Sequence, residues 1–179
     1  MKISIYSEKG GAGKSTLAVA LAFAFDLPII DLDPMQISSS HLRHRDPATL
    51  KPGCVVDFPA GVDLAHIKHL TNADLIVIPC RPTWPDLKGL AQTIKYAKAH
   101  AGKNTKLALF ANAISPKSSD LALFTEGAAP YGLPITGHFT QRVAYGRAGI
   151  TGVPFGDLDP VAGNEVLKVY ESVKGLING

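Results

Sequence analysis

Short apolar runs alternate with longer stretches of helical periodicity along the 179 residues. Ile3 to Tyr6, Ile29 to Leu32, Val55 to Phe58, Leu75 to Ile78, Leu107 to Phe110 and Leu133 to Ile135 read as strands. The second, fourth and fifth are almost wholly apolar, as strands covered by helices on both faces should be. Helices are predicted over Lys14–Phe25, Val62–Leu70, Leu87–Ala101, Ser118–Ala129 and Gly163–Ile177. The first is apolar on every side, which predicts burial of most of its surface. This rhythm predicts an α/β fold, a single domain over residues 1–179 whose mostly parallel sheet carries helices on both faces. From His41 to Gly53 the periodicity lapses, and the segment reads as a loop or short helix.

Composition narrows the class. Hydrophobic residues at 46% and charged residues at 18% exclude intrinsic disorder. The longest uninterrupted apolar run, Leu17 to Phe25, is nine residues, against the roughly 20 a bilayer requires. Met1 leads straight into a strand with no signal-peptide pattern. Cys54 and Cys80 are too few for a disulfide framework, suit no zinc site, and read as small core residues. His41 and His44 share a helical face without acidic or cysteine companions and read as surface residues. A reduced, cytoplasmic globular protein is the expectation.

The chemistry concentrates in Glu8-Lys9-Gly10-Gly11-Ala12-Gly13-Lys14-Ser15-Thr16, between the first strand and the first helix. Glycines let backbone N–H groups turn inward around a phosphate, and the following helix adds its positive N-terminal end. Lys14 supplies a point charge to β and γ phosphates, and Ser15 a hydroxyl to a bridging Mg²⁺. Where the usual phosphate loop opens on glycine, this chain has Glu8, and Lys9 precedes the glycine pair. Two carboxylates, Asp31 and Asp33, end the second strand and share a face. Asp57 ends the third, an apolar strand closing on one carboxylate, suited to hold Mg²⁺ through a water. These ends lie at the sheet edge that faces the ligand crevice in parallel α/β folds.

Lys-Gly-Gly-x-Gly-Lys-Ser resembles the deviant Walker A loop of the ParA/MinD group of ATPases, and Asp31-Leu32-Asp33-Pro34-Met35-Gln36 is similar to their Asp-x-Asp-Pro-Gln motif. Asp74 to Pro79 with the proline-containing loop to Leu87, Thr140 to Gly146, and Gly152 to Phe155 extend the likeness over nearly the whole chain. The chain looks most like the small plasmid partition ATPases. The resemblance implies an ATPase that binds ATP and Mg²⁺, forms a homodimer around them and hydrolyses ATP slowly. It implies a place on the nucleoid and a centromere-binding, ParB-like partner. Gly10, Gly11, Ala12, Gly13, Lys14, Ser15 and Thr16 would hold the nucleotide, with Ser15, Asp31 and Asp57 serving the metal. Lys14 would serve catalysis together with Lys9, which reaches phosphates of a partner subunit, and Asp33, which positions the attacking water. Asn112, just past the fifth strand, would read adenine, although the same place suits a turn residue. Phe58 stands where these ATPases generally carry threonine.

Two rival readings are a MinD-like spatial regulator and a metabolic enzyme resembling dethiobiotin synthetase. The stretch from Glu171 to Gly179 lacks a basic amphipathic pattern, which disfavours membrane anchoring. Lys9 together with the Asp-x-Asp-Pro motif disfavours the metabolic enzyme. The overall formal charge is +3, yet Arg81 to Lys117 holds seven Lys or Arg against Asp86 alone. At about 100° per residue, Lys88 and Lys95 nearly coincide in direction and Lys98 lies about 60° further round. The stripe suits an ordinary solvated helix face, and it equally suits sequence-independent DNA binding.

Overall fold

The computed structural model describes residues 1–32, 52–61, 64–116, 119–151 and 153–179. Among them the strands are β1 (Lys2–Ile5), β2 (Ile29–Asp31), β3 (Cys54–Asp57), β4 (Leu75–Cys80), β5 (Lys106–Ile114) and β6 (Ile135–Thr140). The helices are α1 (Lys14–Phe25), α2 (Ile67–Thr71), α3 (Trp84–His100), α4 (Asp120–Ala128), α5 (Val143–Thr151), α6 (Phe155–Leu158) and α7 (Pro160–Asn178). All strand pairs are parallel, in the order β2-β3-β1-β4-β5-β6.

Strand side chains alternate between two cores, as a pleat requires. Ile3, Ile5, Val55, Leu75, Val77 and Phe110 face one core, shared with α1, α5, α6 and α7. Val56, Ile76, Ile78 and Leu109 face the other, with α3, α4 and Leu70 of α2. The run Leu17–Ala22 of α1 is buried throughout, because this helix packs against the sheet with α5 and α7 beside it. An apolar circumference is therefore what its position demands.

Several elements differ from the expectation. The last strand runs over Ile135–Thr140, not Leu133–Ile135. Its Ile-Thr-Gly-His-Phe-Thr sequence interrupts the apolar alternation, yet Thr136 and Phe139 are both buried. The predicted Val62–Leu70 helix is a 3₁₀ turn at Leu64–His66 followed by α2, with residues 62 and 63 outside the described set. Helix α3 begins at Trp84, where Thr83 caps it and Pro85 fits the first turn. Helices α5 and α6 have no counterpart among the predicted elements. Most of the segment from His41 to Gly53 lies outside the described residues.

Candidate functional site

The glycine-rich loop leaves β1 and enters α1 with two backbone positions that an L side chain rarely takes, Gly11 at φ +72° and Gly13 at φ +97°. A Cβ on Gly13 would overlap the Asn112 side chain. Gly13 is also the N-cap of α1 and offers no side-chain cap, so the first-turn N–H groups keep their anion-binding capacity. Lys14 is buried, and its Nζ donates to the Lys9 carbonyl at 3.1 Å, which curls the loop around its ammonium. The Gly61 N–H donates to the Glu8 carbonyl at 3.0 Å, joining the loop to the segment after β3.

Sheet register brings two of the expected carboxylates side by side. Asp31 of β2 pairs with Asp57 of β3, and residues opposite one another in a sheet point to the same face. Asp57 is buried and Asp31 half-buried. Asp33, His41 and His44 lie outside the described residues. Among the described residues no group of three His, Cys, Asp or Glu gathers to hold a metal. A cation here would have to complete its shell with water and phosphate oxygens, which suits Mg²⁺.

Asn112 reaches the loop through an irregularity in β5. Pairing with β6 shifts register between Ala111 and Ile114, and Ala113 adopts φ +56°. Such bulges re-aim side chains, and Asn112 Nδ2 donates to the Ala12 carbonyl at 3.0 Å. Gly13, Lys14, Ser15, Thr16, Arg81 and Asn112 line a mainly polar cavity of about 240 Å³, with Gly11 and Phe58 at its wall. Phe58 is buried and packs edge-on against Tyr6 at 5.6 Å between ring centroids.

Lys9 does not turn into this cavity. Its ammonium pairs with the Asp86 carboxylate in the first turn of α3, with Lys9 46% and Asp86 9% exposed. Thr83 Oγ1 also donates to Asp86, at 2.5 Å. Asp86, which holds Lys9, and Arg81, which lines the cavity, were not singled out by the sequence motifs. Their only signal is position, in the loop just beyond a buried strand's C-terminal end.

Residues 3–155 match the family described as the CobQ/CobB/MinD/ParA nucleotide binding domain. The chain belongs to this family. No curated protein matches it in sequence. Solved structures extend the likeness to the fold. Apo McdA from Cyanothece superposes with TM-score 0.77 at 17% identity, covering 96% of this chain and 98% of that one. The MinD cell division protein of Aquifex aeolicus gives 0.73 at 17%, with 97% of each chain covered. A putative plasmid partition protein from Borrelia burgdorferi, bound to AMPPNP, gives 0.72 at 16%, covering 97% and 98%. Identities this low establish the shared fold and leave function to the site. The residues present fit a Mg²⁺-nucleotide, because the CobQ/CobB/MinD/ParA domain here has a polar cavity whose Asn112 wall approaches Gly13 closer than a Cβ there would allow. Lys14 lines that cavity and a carboxylate pair stands in register on adjacent strands.

The basic stripe is exposed as expected at Lys88, Lys95 and Lys98 on α3. Lys88 Nζ lies 5.4 Å from the Trp84 ring centroid. Lys106, in the same basic segment but on β5, is engaged elsewhere, since its Nζ donates to the Leu176 carbonyl at 2.7 Å. Cys80 is buried, and that desolvation pushes its thiol up to about 12. Cys54 is half-buried, and its thiol is raised for the same reason. Neither is a ready nucleophile at neutral pH. No helix among the described residues is long and apolar enough to cross a membrane.

Proposed function

We propose that the chain is a dimerising, Mg²⁺-dependent ATPase of plasmid or chromosome partition. It binds DNA without sequence preference and responds to a ParB-like centromere-binding protein. The position of Lys9 carries this reading. The loop already has its own cation in Lys14, whereas Lys9 stands outside the cavity, half-exposed and held by Asp86. A lysine so placed has a use when a second subunit's phosphates arrive. Trp84, two residues from Asp86, is 72% exposed. An exposed aromatic at the start of α3, the helix that holds that lysine, supplies an apolar anchor for the same subunit contact.

Within one subunit, Lys14 and the N–H groups of Gly11 to Ser15 bind the phosphates. Asp31, Asp57 and the Ser15 hydroxyl hold the metal shell. Bound Mg²⁺ supplies the divalent charge that neutralises the phosphate oxygens. Asp33 orients the attacking water, and Lys9 of the opposite subunit stabilises charge on the transferring phosphoryl group, as an arginine finger does. Asn112 donates one amide N–H to the Ala12 carbonyl, and its Oδ1 accepts from the adenine amine.

Light scattering with saturating ATP and Mg²⁺ tests this reading. Asp33→Ala should form a persistent dimer, because binding is kept and hydrolysis blocked. Lys9→Ala should bind ATP yet stay monomeric and inactive. An Asp33→Ala protein that remains monomeric at micromolar concentration overturns the proposal.

A further inference from the structure

We infer that Arg81 is a second phosphate-binding cation of the site, supplied by the same subunit and lining the cavity together with Lys14. The inference rests on nucleotide binding alone and not on partition, dimerisation or DNA. Arg81 follows β4, whose six residues are all buried. Pro82 confines the residue before it to an extended backbone, so Arg81 continues the strand's line past the sheet edge. The Cys80 thiol donates to the Arg81 carbonyl at 3.3 Å and fixes that end further. The guanidinium therefore projects from a rigid element, not from a loop tip.

It projects over the phosphate loop. Its Nη2 lies 3.9 Å from where a Cβ on Gly11 would stand, and Arg81 lines the cavity with Lys14 and Ser15. The other cations nearby are engaged differently. Lys9 is bound to Asp86, and Lys14 donates to the Lys9 carbonyl. Arg142, at the C-terminal edge near β6, is bound to Asp159 at 3.0 Å. Among the described residues Arg81 has neither a carboxylate nor a side-chain hydrogen bond. A planar guanidinium with five donors, beside an anion cradle and without a partner among the described residues, matches phosphate oxygens that can engage two N–H groups at once. While Asp86 holds Lys9 aside, Arg81 also supplies a positive charge that the loop otherwise lacks on this flank.

The experiment is a competition titration against a fluorescent ATP analogue, using ATP and inorganic tripolyphosphate, which has no base or sugar. Arg81→Ala should weaken both ligands by about 10- to 100-fold, the usual effect of losing a charged hydrogen-bonding pair. Arg81→Lys, which keeps the charge without the fork, should fall between Arg81→Ala and the unaltered protein. The thermal midpoint of Arg81→Ala should be unchanged, since the side chain is exposed and unpaired, so weaker binding reports on the site and not on folding. Lys14→Gln, which loses both ligands, serves as the reference for an emptied site. If Arg81→Ala binds tripolyphosphate within twofold of the unaltered protein, the inference is overturned while nucleotide binding and the partition reading stand. If ATP weakens but tripolyphosphate does not, Arg81 touches sugar or base and the inference is likewise overturned.

Discussion

Replacing Asp86 with asparagine should tighten the ATP-driven dimer. In the free subunit the Lys9 ammonium pairs with Asp86, and it must leave that carboxylate before it can meet a partner's phosphates. Asp86 is 9% exposed and Lys9 46%, so the pair lies between a surface bridge and a buried one. An exposed pair contributes up to about 1 kcal/mol, and we take about 1 kcal/mol for this half-covered one. A symmetric dimer breaks two such pairs, so removing the carboxylate spares about 2 kcal/mol per dimer, or about 30-fold in its dissociation constant. Folding should lose that same pair, about 1 kcal/mol in each subunit, and little more. The amide oxygen of the substituted side chain can still accept from Thr83 Oγ1, and loss of a carboxylate in the first turn of α3 costs about 0.3–1 kcal/mol. Sedimentation velocity with a non-hydrolysable ATP analogue measures the dimer without turnover. Lys9→Ala/Asp86→Asn should behave as Lys9→Ala, because the substitution acts through Lys9. A dimer of Asp86→Asn no tighter than that of the unaltered protein, with ATP binding intact, would refute the argument.

The remaining expectations concern DNA, the C-terminal framework and pH. Lys88, Lys95 and Lys98, replaced together by Glu, should abolish binding to duplex DNA of arbitrary sequence while leaving ATP-driven dimerisation in place. Each lysine that contacts phosphate should add about −0.9 to the salt slope, and unchanged affinity would assign the stripe to solvation. Glu165 is buried and accepts from Thr140 N at 2.9 Å, Thr140 Oγ1 at 2.7 Å and Tyr145 OH at 2.5 Å. Glu165→Ala strands those donors and should cost about 3 kcal/mol, lowering the thermal midpoint by roughly 10 °C, whereas Tyr145→Phe should cost about 1 kcal/mol. A midpoint shift smaller than about 1 °C for Glu165→Ala would show that the network adds no stability. Burial first, then the charges of Lys2, Lys68 and His66, holds the His69 imidazole below its ordinary 6.5. The folded state therefore binds fewer protons, and this contribution to stability is full above pH 6.5 and lost as pH falls through the folded-state value. Urea midpoints between about pH 8 and 5 should decline less for His69→Gln; equal declines would remove His69 from the account.

The glycine-rich loop and most of the sheet were legible in the amino-acid pattern alone. Glycines at 11 and 13, followed by Lys14 and an apolar helix, impose a turn and an anion cradle through local backbone freedom alone. Strands β4 and β5 were legible because burial on both faces requires uninterrupted apolar runs. Helices α5 and α6 were not, since Gly146 and Gly156 weaken short segments whose order comes from packing on α1 and α7. Likewise β6 hides behind Gly137 and His138. The site's finer architecture belongs to the tertiary structure. Asn112 meets Ala12 across 100 positions of sequence, and Asp31 meets Asp57 through the register of two strands. Lys9 finds Asp86, and Arg81 overhangs Gly11, because β4 lies next to β1 in the sheet. Local propensity has no access to such pairings. They follow from the order of strands, which is selected by how the whole chain buries two apolar faces at once.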